Sequence, residues 1–362
     1  TKPYMMTNNI MLVKKNEKNH LKSISDFKDK KIAVQKGTDQ EKIAKTEIEN
    51  ADVTSLNKLP ETILSVKSGK AVGAILEKPG AEAYIKQNPE LAFSDVKFNE
   101  EKKPTCIAVP KNSPILLKKL NQTINEVNDK NLIDHYMTKA ANDMQDDGNF
   151  YTKYKSFFIK GLQNTILISF VGVVFGAILG AFIALMKLSK FKPLSWIASI
   201  YIEFLRGTPL LVQVFIVFFG TTAALGLDIS ALICGTIALV INSSAYIAEI
   251  FRAGINSIDK GQTEAARSLG LSYNQTMKSV VMPQAIKNIL PALGNEFVTL
   301  IKESSIVSTI GVGEIMFNAQ VVQGISFDPF TPLLVAAGMY FILTFALSRI
   351  MNFIEGRMKA SD

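Results

Sequence analysis

Two cysteines and two histidines among 362 residues leave little material for thiol or imidazole chemistry. Cys106 and Cys234 fall in different halves of the chain, so a disulfide within one domain is excluded and the redox compartment stays open. His20 and His135 lie near neither each other nor a cysteine, which argues against a metal centre or a histidine base. No Gly-x-x-x-x-Gly-Lys-Ser/Thr phosphate loop occurs, because Gly69-Lys70 runs on into Ala71-Val72. Any ATP must therefore be hydrolysed on another chain. No nucleophile–base pair stands out, and neither enzymatic activity nor a cofactor is expected. The chain opens at Thr1 without Met or a signal peptide, and reads as a fragment or processed product.

Charge is scarce in one half only. Residues 1–150 hold 24 Lys/Arg and 21 Asp/Glu, whereas 151–362 hold 16 and 11. The net charge is +8, yet the cations of the second half gather at the ends of apolar runs. That placement fits a lipid bilayer and not nucleic acid. About 20 mostly apolar residues cross a bilayer. Five candidate spans follow, at roughly 161–186, 208–224, 231–251, 289–310 and 332–354. In the first, Gly172, Gly176, Gly180 and Ala184 recur at four-residue spacing, a stripe of small residues suited to close helix packing in lipid.

One set of connections holds Lys187, Lys190, Lys192 and Arg206, then Arg252, Lys260, Arg267, Lys278 and Lys287, then Arg349, Arg357 and Lys359. The opposite set, 222–230 and 311–331, holds no Lys or Arg. The first set is expected in the cytoplasm, with the amino-terminal domain outside and the carboxyl terminus inside. Lys153, Lys155 and Lys160 run against this bias, and the later loops decide it.

The connection after the third span reads Gly261-Gln-Thr-Glu-Ala-Ala-Arg-Ser-Leu-Gly270 and continues to Val280-Val-Met-Pro283. A short helix between the two glycines would show Glu264, Ala265, Ala266 and Leu269 on its surface, with Gly270 as a left-handed stop. Glu264, Ala265, Ala266, Gly270, Val280, Met282 and Pro283 resemble the cytoplasmic loop of type I ABC importer permeases (E-A-A, three residues, G, nine residues, I-x-L-P). The stretches Arg206-Gly-Thr-Pro-Leu-Leu-Val-Gln213, Ser244-Ala-Tyr-Ile-Ala-Glu249 and Ser304 to Gly313 resemble the polar amino acid branch of that family, over about 155–355. The resemblance implies an all-α five-helix membrane domain whose loop, through Glu264, Ala265, Ala266, Leu269 and Gly270, docks on an ABC ATPase subunit. It also implies pairing with a second permease copy, as a homo- or heterodimer.

Polar residues inside the spans face a partner or a cavity as a rule. Asn242, Tyr246 and Glu249 on span three, and Glu296 and Lys302 on span four, are candidates for the substrate path; the alternatives are a structural pair of Lys302 with Glu303 or Glu296, and a place for Glu249 near the cytoplasmic boundary.

Residues 31–109 alternate short apolar runs with helical patterns. Strands are expected at 31–36, 52–57, 72–77, 91–97 and 105–109, and helices at 39–49, 60–68 and 79–87, giving a small, largely parallel α/β unit. A further helix is expected at 113–128, then a linker to the membrane. Gln35-Lys36-Gly37-Thr38 is a strand-to-helix turn able to hold an anion. This half resembles the distal lobe of a periplasmic-type amino acid binding protein, an incomplete type II fold. The resemblance assigns the ligand α-carboxylate to Gly37 and Thr38 and the α-ammonium to Glu77, where the family usually has Asp. Most of the first lobe, with its arginine clamp, is absent, and little binding is expected of the fragment alone.

The domains are then 1–140 (partial extracytoplasmic binding domain), 141–156 (linker) and 157–362 (permease). The expected function is an ATP-driven importer of a polar amino acid, glutamine or glutamate first, in the bacterial cell membrane. A ligand-gated channel is the alternative, but its pore segment would interrupt the lobes, whereas all five spans here follow them. A membrane sensor ranks third, for want of any signalling segment after Asp362.

Overall fold

The computed structural model describes residues 1–144 and 149–359, and its contacts divide the chain into two units. One unit comprises residues 1–153 with 321–332; the other comprises 154–320 with 333–362. The linker expected at 141–156 includes 145–148, which lie outside the described residues.

The first unit is an α/β layer structure. Its strands are β1 (Met5–Thr7), β2 (Asn9–Lys14), β3 (Lys31–Gln35), β4 (Asp52–Leu56), β5 (Gly73–Glu77), β6 (Leu91–Phe93) and β7 (Lys103–Thr105). Its helices are α1 (Asp39–Glu47), α2 (Leu59–Lys67), α3 (Lys78–Gln87), α4 (Pro114–Asp129) and α5 (Leu132–Met144). The main sheet runs β4-β3-β5-β2-β6. Strand β3 is parallel to β4 and β5, while β2 is antiparallel to β5 and β6. The sheet is thus mixed, and less parallel than the sequence suggests. The strand expected at 105–109 is instead β7, which leaves the sheet and pairs with β1.

Strand periodicity explains the two faces. Met11, Val13, Ile32, Val34 and Ile75 bury on one side with Phe27 and Ile43. Leu12, Ala33, Ala74 and Leu76 bury on the other with Ile63, Val66 and Tyr84. Successive side chains alternate across a strand, so apolar runs without polar alternation require cover on both faces.

The second unit is helical: α6 (Phe150–Lys187), α7 (Lys192–Gly207), α8 (Leu210–Leu225), α9 (Ala231–Asn256), α10 (Lys260–Ser268), α11 (Tyr273–Thr276), α12 (Met282–Glu303), α13 (Ile315–Ser326) and α14 (Thr331–Lys359). Helices α6, α9 and α14 are long and apolar enough to span a membrane. The count reaches five if two bent pairs each make one span. The first pair, Lys192–Gly207 with Leu210–Ala224, bends by 106°. Pro209 supplies no N–H to continue α7. The expected span 208–224 is therefore the second helix of a sharply bent pair. Arg206, expected in a connection between spans, lies in the last turn of α7, next to the bend. In the second pair, α12 runs into a 3-10 segment (Ser304–Ile310) before α13, with a 50° bend. The connection expected at 311–331 is thus largely helix.

The small-residue stripe of α6 is a packed face. A Cβ on Gly172 would lie 2.5 Å from Leu300 Cδ2, one on Gly176 would lie 3.1 Å from Ser243 Oγ, and one on Gly180 would lie 2.9 Å from the Ser244 carbonyl. Helices approach this closely only where side chains are missing. At Gly180 the obstacle is the backbone of α9. Gly180→Val should therefore destabilise the unit by about 1–3 kcal/mol, the usual range for overpacking. Thermal unfolding in detergent measures the loss, whereas an unchanged midpoint would mean that α6 and α9 are not in contact there.

Candidate functional site

In the first unit, β3 and β5 are parallel neighbours, so Gly37-Thr38 and Glu77 emerge at the same sheet edge. The turn is already partnered. The Gly37 amide donates to Glu41 Oε2 (2.7 Å), and the Thr38 hydroxyl donates to the Gln35 carbonyl (2.7 Å). Lys45, the Gly37 amide and the Ser55 hydroxyl hold the Glu41 carboxyl down at about 2. It is ionised at neutral pH and answers the positive end of α1 from within the chain. Glu77 is exposed at the end of β5, opposite Asn9 of β2. Asn9 is tied down by Glu100, which accepts from its side-chain amide (2.8 Å), and by Gln40, which donates to it (2.7 Å).

In the second unit, polar side chains gather about the middle of α9. Pro209 leaves the carbonyls at the α7–α8 break without helical partners. Gln213 answers them: its Nε2 donates to the Leu205 carbonyl (2.8 Å), the Thr208 carbonyl (3.2 Å) and the Thr208 hydroxyl (2.9 Å). Its Oε1 accepts from Asn242 Nδ2 at 3.0 Å. Asn242 thus fastens the broken span to α9. One turn on, Tyr246 lies under the guanidinium of Arg206, 5.2 Å from its ring centroid. On a neighbouring face, Ser243 donates to Glu296 Oε1 of α12 at 3.2 Å.

Glu249 goes elsewhere. Its carboxylate accepts from Lys187 of α6 (2.7 Å) and from Nε and Nη2 of Arg252 (3.0 and 2.9 Å). The structure thus places Glu249 in an ionic cluster joining the ends of α6 and α9. Lys302 is exposed and, among the described residues, forms no ion pair with Glu296 or Glu303.

The loop after α9 is built by local rules. The Asp259 side chain caps α10 by accepting from the Gly261 amide (2.6 Å). Gly270 has φ +86°. Its N–H reaches the Arg267 carbonyl (3.1 Å), and the Leu271 N–H reaches that of Ala266 (3.2 Å), the paired bonds of a Schellman stop. Ser272 and Gln275 then start α11 by reciprocal capping, and a π-turn over Met277–Val281 leads into α12. Glu264 and Ala265 are exposed and Leu269 stands 84% exposed, but Ala266 is only 4% exposed. Ala266 thus faces its own chain, contrary to the expected surface position, because it lies on the side of α10 that packs on the π-turn.

Sequence reading passed over Gln213, Ser243 and Glu314. A glutamine four residues after a proline within an apolar run was the visible signal for the first. Glu314 is fully buried before α13. It accepts from the Met316 amide (2.9 Å), the Phe317 amide (2.7 Å) and the Tyr340 hydroxyl of α14. A lone carboxylate in an apolar stretch was its signal.

Among curated proteins, the arginine transport system permease ArtQ of Bacillus subtilis is 44% identical over 57% of this chain and 94% of its own length. GlnP of Rickettsia conorii, named for glutamine transport, is 41% identical over 58% and 95%. A crystal structure of an amino acid ABC transporter with histidines is 47% identical over 58% of this chain and 98% of that one, with a TM-score of 0.56. An arginine-bound substrate-binding protein of an amino acid ABC transporter, AbpA of Streptococcus pneumoniae, is 30% identical over 39% of this chain and 60% of that one, with a TM-score of 0.37. The model of the binding-protein-dependent transport system inner membrane component matches residues 164–360, more than half of the chain. Because that match covers more than half of the chain, the chain belongs to that family of membrane transport components.

Proposed function

We propose that the chain is the permease subunit of an ATP-driven amino acid importer, with residues 1–140 forming part of a binding domain and 157–362 the transmembrane pathway. The reading is carried by the 259–272 loop, where a rigid, doubly capped turn presents Leu269 to solvent. An exposed leucine at a fixed tip suits insertion into a groove of a partner, here the ATPase subunit. A second permease copy completes the pathway. The cation-rich connections, with Lys187, Lys190, Lys192, Arg252, Lys260, Arg267, Lys278, Lys287, Arg349 and Arg357, support a cytoplasmic loop and carboxyl terminus with residues 1–140 outside. Gly37, Thr38 and Glu77 support the binding-domain part, since adjacent parallel strands bring them to one edge.

Orientation is tested by single cysteines at Asp228 and Ser268, both exposed, in a background without Cys106 and Cys234. An impermeant maleimide should label position 228 on intact cells, and position 268 only after permeabilisation. Labelling of position 268 from outside would remove the loop from any cytoplasmic ATPase.

The cargo is a polar amino acid. Glutamine suits the relative named for glutamine transport. Glu296 and Glu303, seven residues apart on one stripe of α12 and both half-buried, favour a cationic side chain instead. Arginine should then compete for uptake at least about tenfold better than glutamate, a difference of 1.4 kcal/mol. Equal competition by glutamate would overturn the cationic preference.

A further inference from the structure

We propose that Arg206 receives the α-carboxylate of the transported amino acid at the break between α7 and α8. The inference rests on the reading of this chain as an amino acid permease and names the group in its pathway that recognises the feature common to every such substrate.

Tyr246 and Asn242 both lie in the central third of α9, a helix about 39 Å long at 1.5 Å per residue. Arg206 is held against Tyr246, so its charge lies within the apolar stretch of α9, one turn before the Glu249 cluster. A cation at that depth is costly unless it meets an opposite charge or a watered cavity. Among the described residues no carboxylate pairs with it. Glu203, three residues earlier on α7, forms no ion pair, and Glu249, three residues after Tyr246, is taken by Lys187 and Arg252. Arg206 is also exposed, so its guanidinium is not sealed off by its own chain.

The chemistry of the free edge is specific. A guanidinium above a ring keeps its N–H donors in its own plane, free for another acceptor. Those donors form a fork that matches the two oxygens of a carboxylate, which an ammonium cannot reproduce. The mounting is firm. Gln213 ties the Leu205 and Thr208 carbonyls on either side of Arg206, and Asn242 ties Gln213. On α9, Ser243 lies three residues from Tyr246 and anchors Glu296. An amino acid between them would set its carboxylate toward Arg206 and its ammonium toward Glu296, leaving Glu303 for a cationic side chain.

The test uses the full chain assembled with its ATPase subunit in lipid nanodiscs, with Thr38→Ala and Glu77→Ala added so that binding reports the membrane pathway. L-arginine and L-glutamine are titrated beside their α-amides, argininamide and glutaminamide. The unaltered pathway should bind the better acid about 10- to 100-fold more tightly than its amide, the range for hydrogen bonds to a charged group. Arg206→Gln should weaken the acid by that factor, leave the amide unchanged and so close the gap. Arg206→Lys, which keeps the charge and guards against misfolding, should leave a smaller gap. An undiminished gap in either variant overturns the proposal, as does equal weakening of acid and amide, which marks a structural role. A variant that separates into single copies with its gap intact would show that Arg206 pairs with a carboxylate of the second copy. If neither amino acid binds the unaltered pathway, the transport reading itself fails, and this proposal with it.

Discussion

Leu269→Asp should lower ATP-driven uptake at least tenfold while leaving the unfolding temperature of the chain unchanged. Leu269 is 84% exposed and follows the last turn of α10, so the substitution removes no internal packing. It does place a charge where an apolar groove must close over the tip, and burying an unpaired carboxylate costs several kcal/mol in practice. Gly270→Val should give the same loss by another route. At φ +86° a β-branched residue is a true outlier, so the Schellman bonds open and the tip loses its direction. The two variants separate surface from shape. Uptake and ATPase activity measured together in proteoliposomes decide the matter. Normal uptake in both variants would mean that the loop is not the docking element.

Glu314→Ala should cost about 3 kcal/mol or more and lower the unfolding midpoint by several degrees. The alanine leaves two amides and the Tyr340 hydroxyl without their acceptor in a fully buried place, and each orphaned donor costs about 1–3 kcal/mol. Glu314→Gln keeps an oxygen for the Met316 amide and the Tyr340 hydroxyl but turns its NH2 toward the Phe317 amide, so it should lose less than Glu314→Ala without matching the parent. Circular dichroism of the purified chain in detergent compares the two. Equal melting of both variants with the parent would show that water satisfies the start of α13.

Local chemistry was legible in the sequence wherever one residue type has few conformational options. Gly270 was readable as a left-handed stop because only glycine takes that backbone without strain. The Gly172–Gly180 stripe was readable as a packed face because four-residue spacing keeps side chains on one side of a helix. Apolar runs such as Lys31–Gln35 and Gly73–Glu77 marked buried strands. What stayed hidden depends on partners distant in the chain. Arg206 read as a loop cation because Pro209 cuts the hydropathy signal, and only the Gln213–Asn242 bond ties the start of α8, just past the α7–α8 bend, to α9. Glu249 and Asn242 share a helix face, yet Lys187, 62 positions away, claims the first and Gln213 the second. Position 266 turned inward because a π-turn not foreseen from the sequence fills the space beneath it. The amide of Gly37 is already engaged because Glu41, four residues on, folds back to it.

The α6 stripe also bears on how such a chain can change over generations. Each added residue turns a helix by 100°. One insertion between Gly172 and Gly180 would swing the later glycine away from the Ser244 carbonyl and bring a larger side chain to within contact of that backbone. Substitution can be absorbed over much of the lipid-facing side, but change of length cannot. Insertions and deletions in descendants of this sequence should therefore accumulate after Lys187 or between α8 and α9, and be absent from the stripe. The helix keeps its register as a strict inheritance, even where its letters drift.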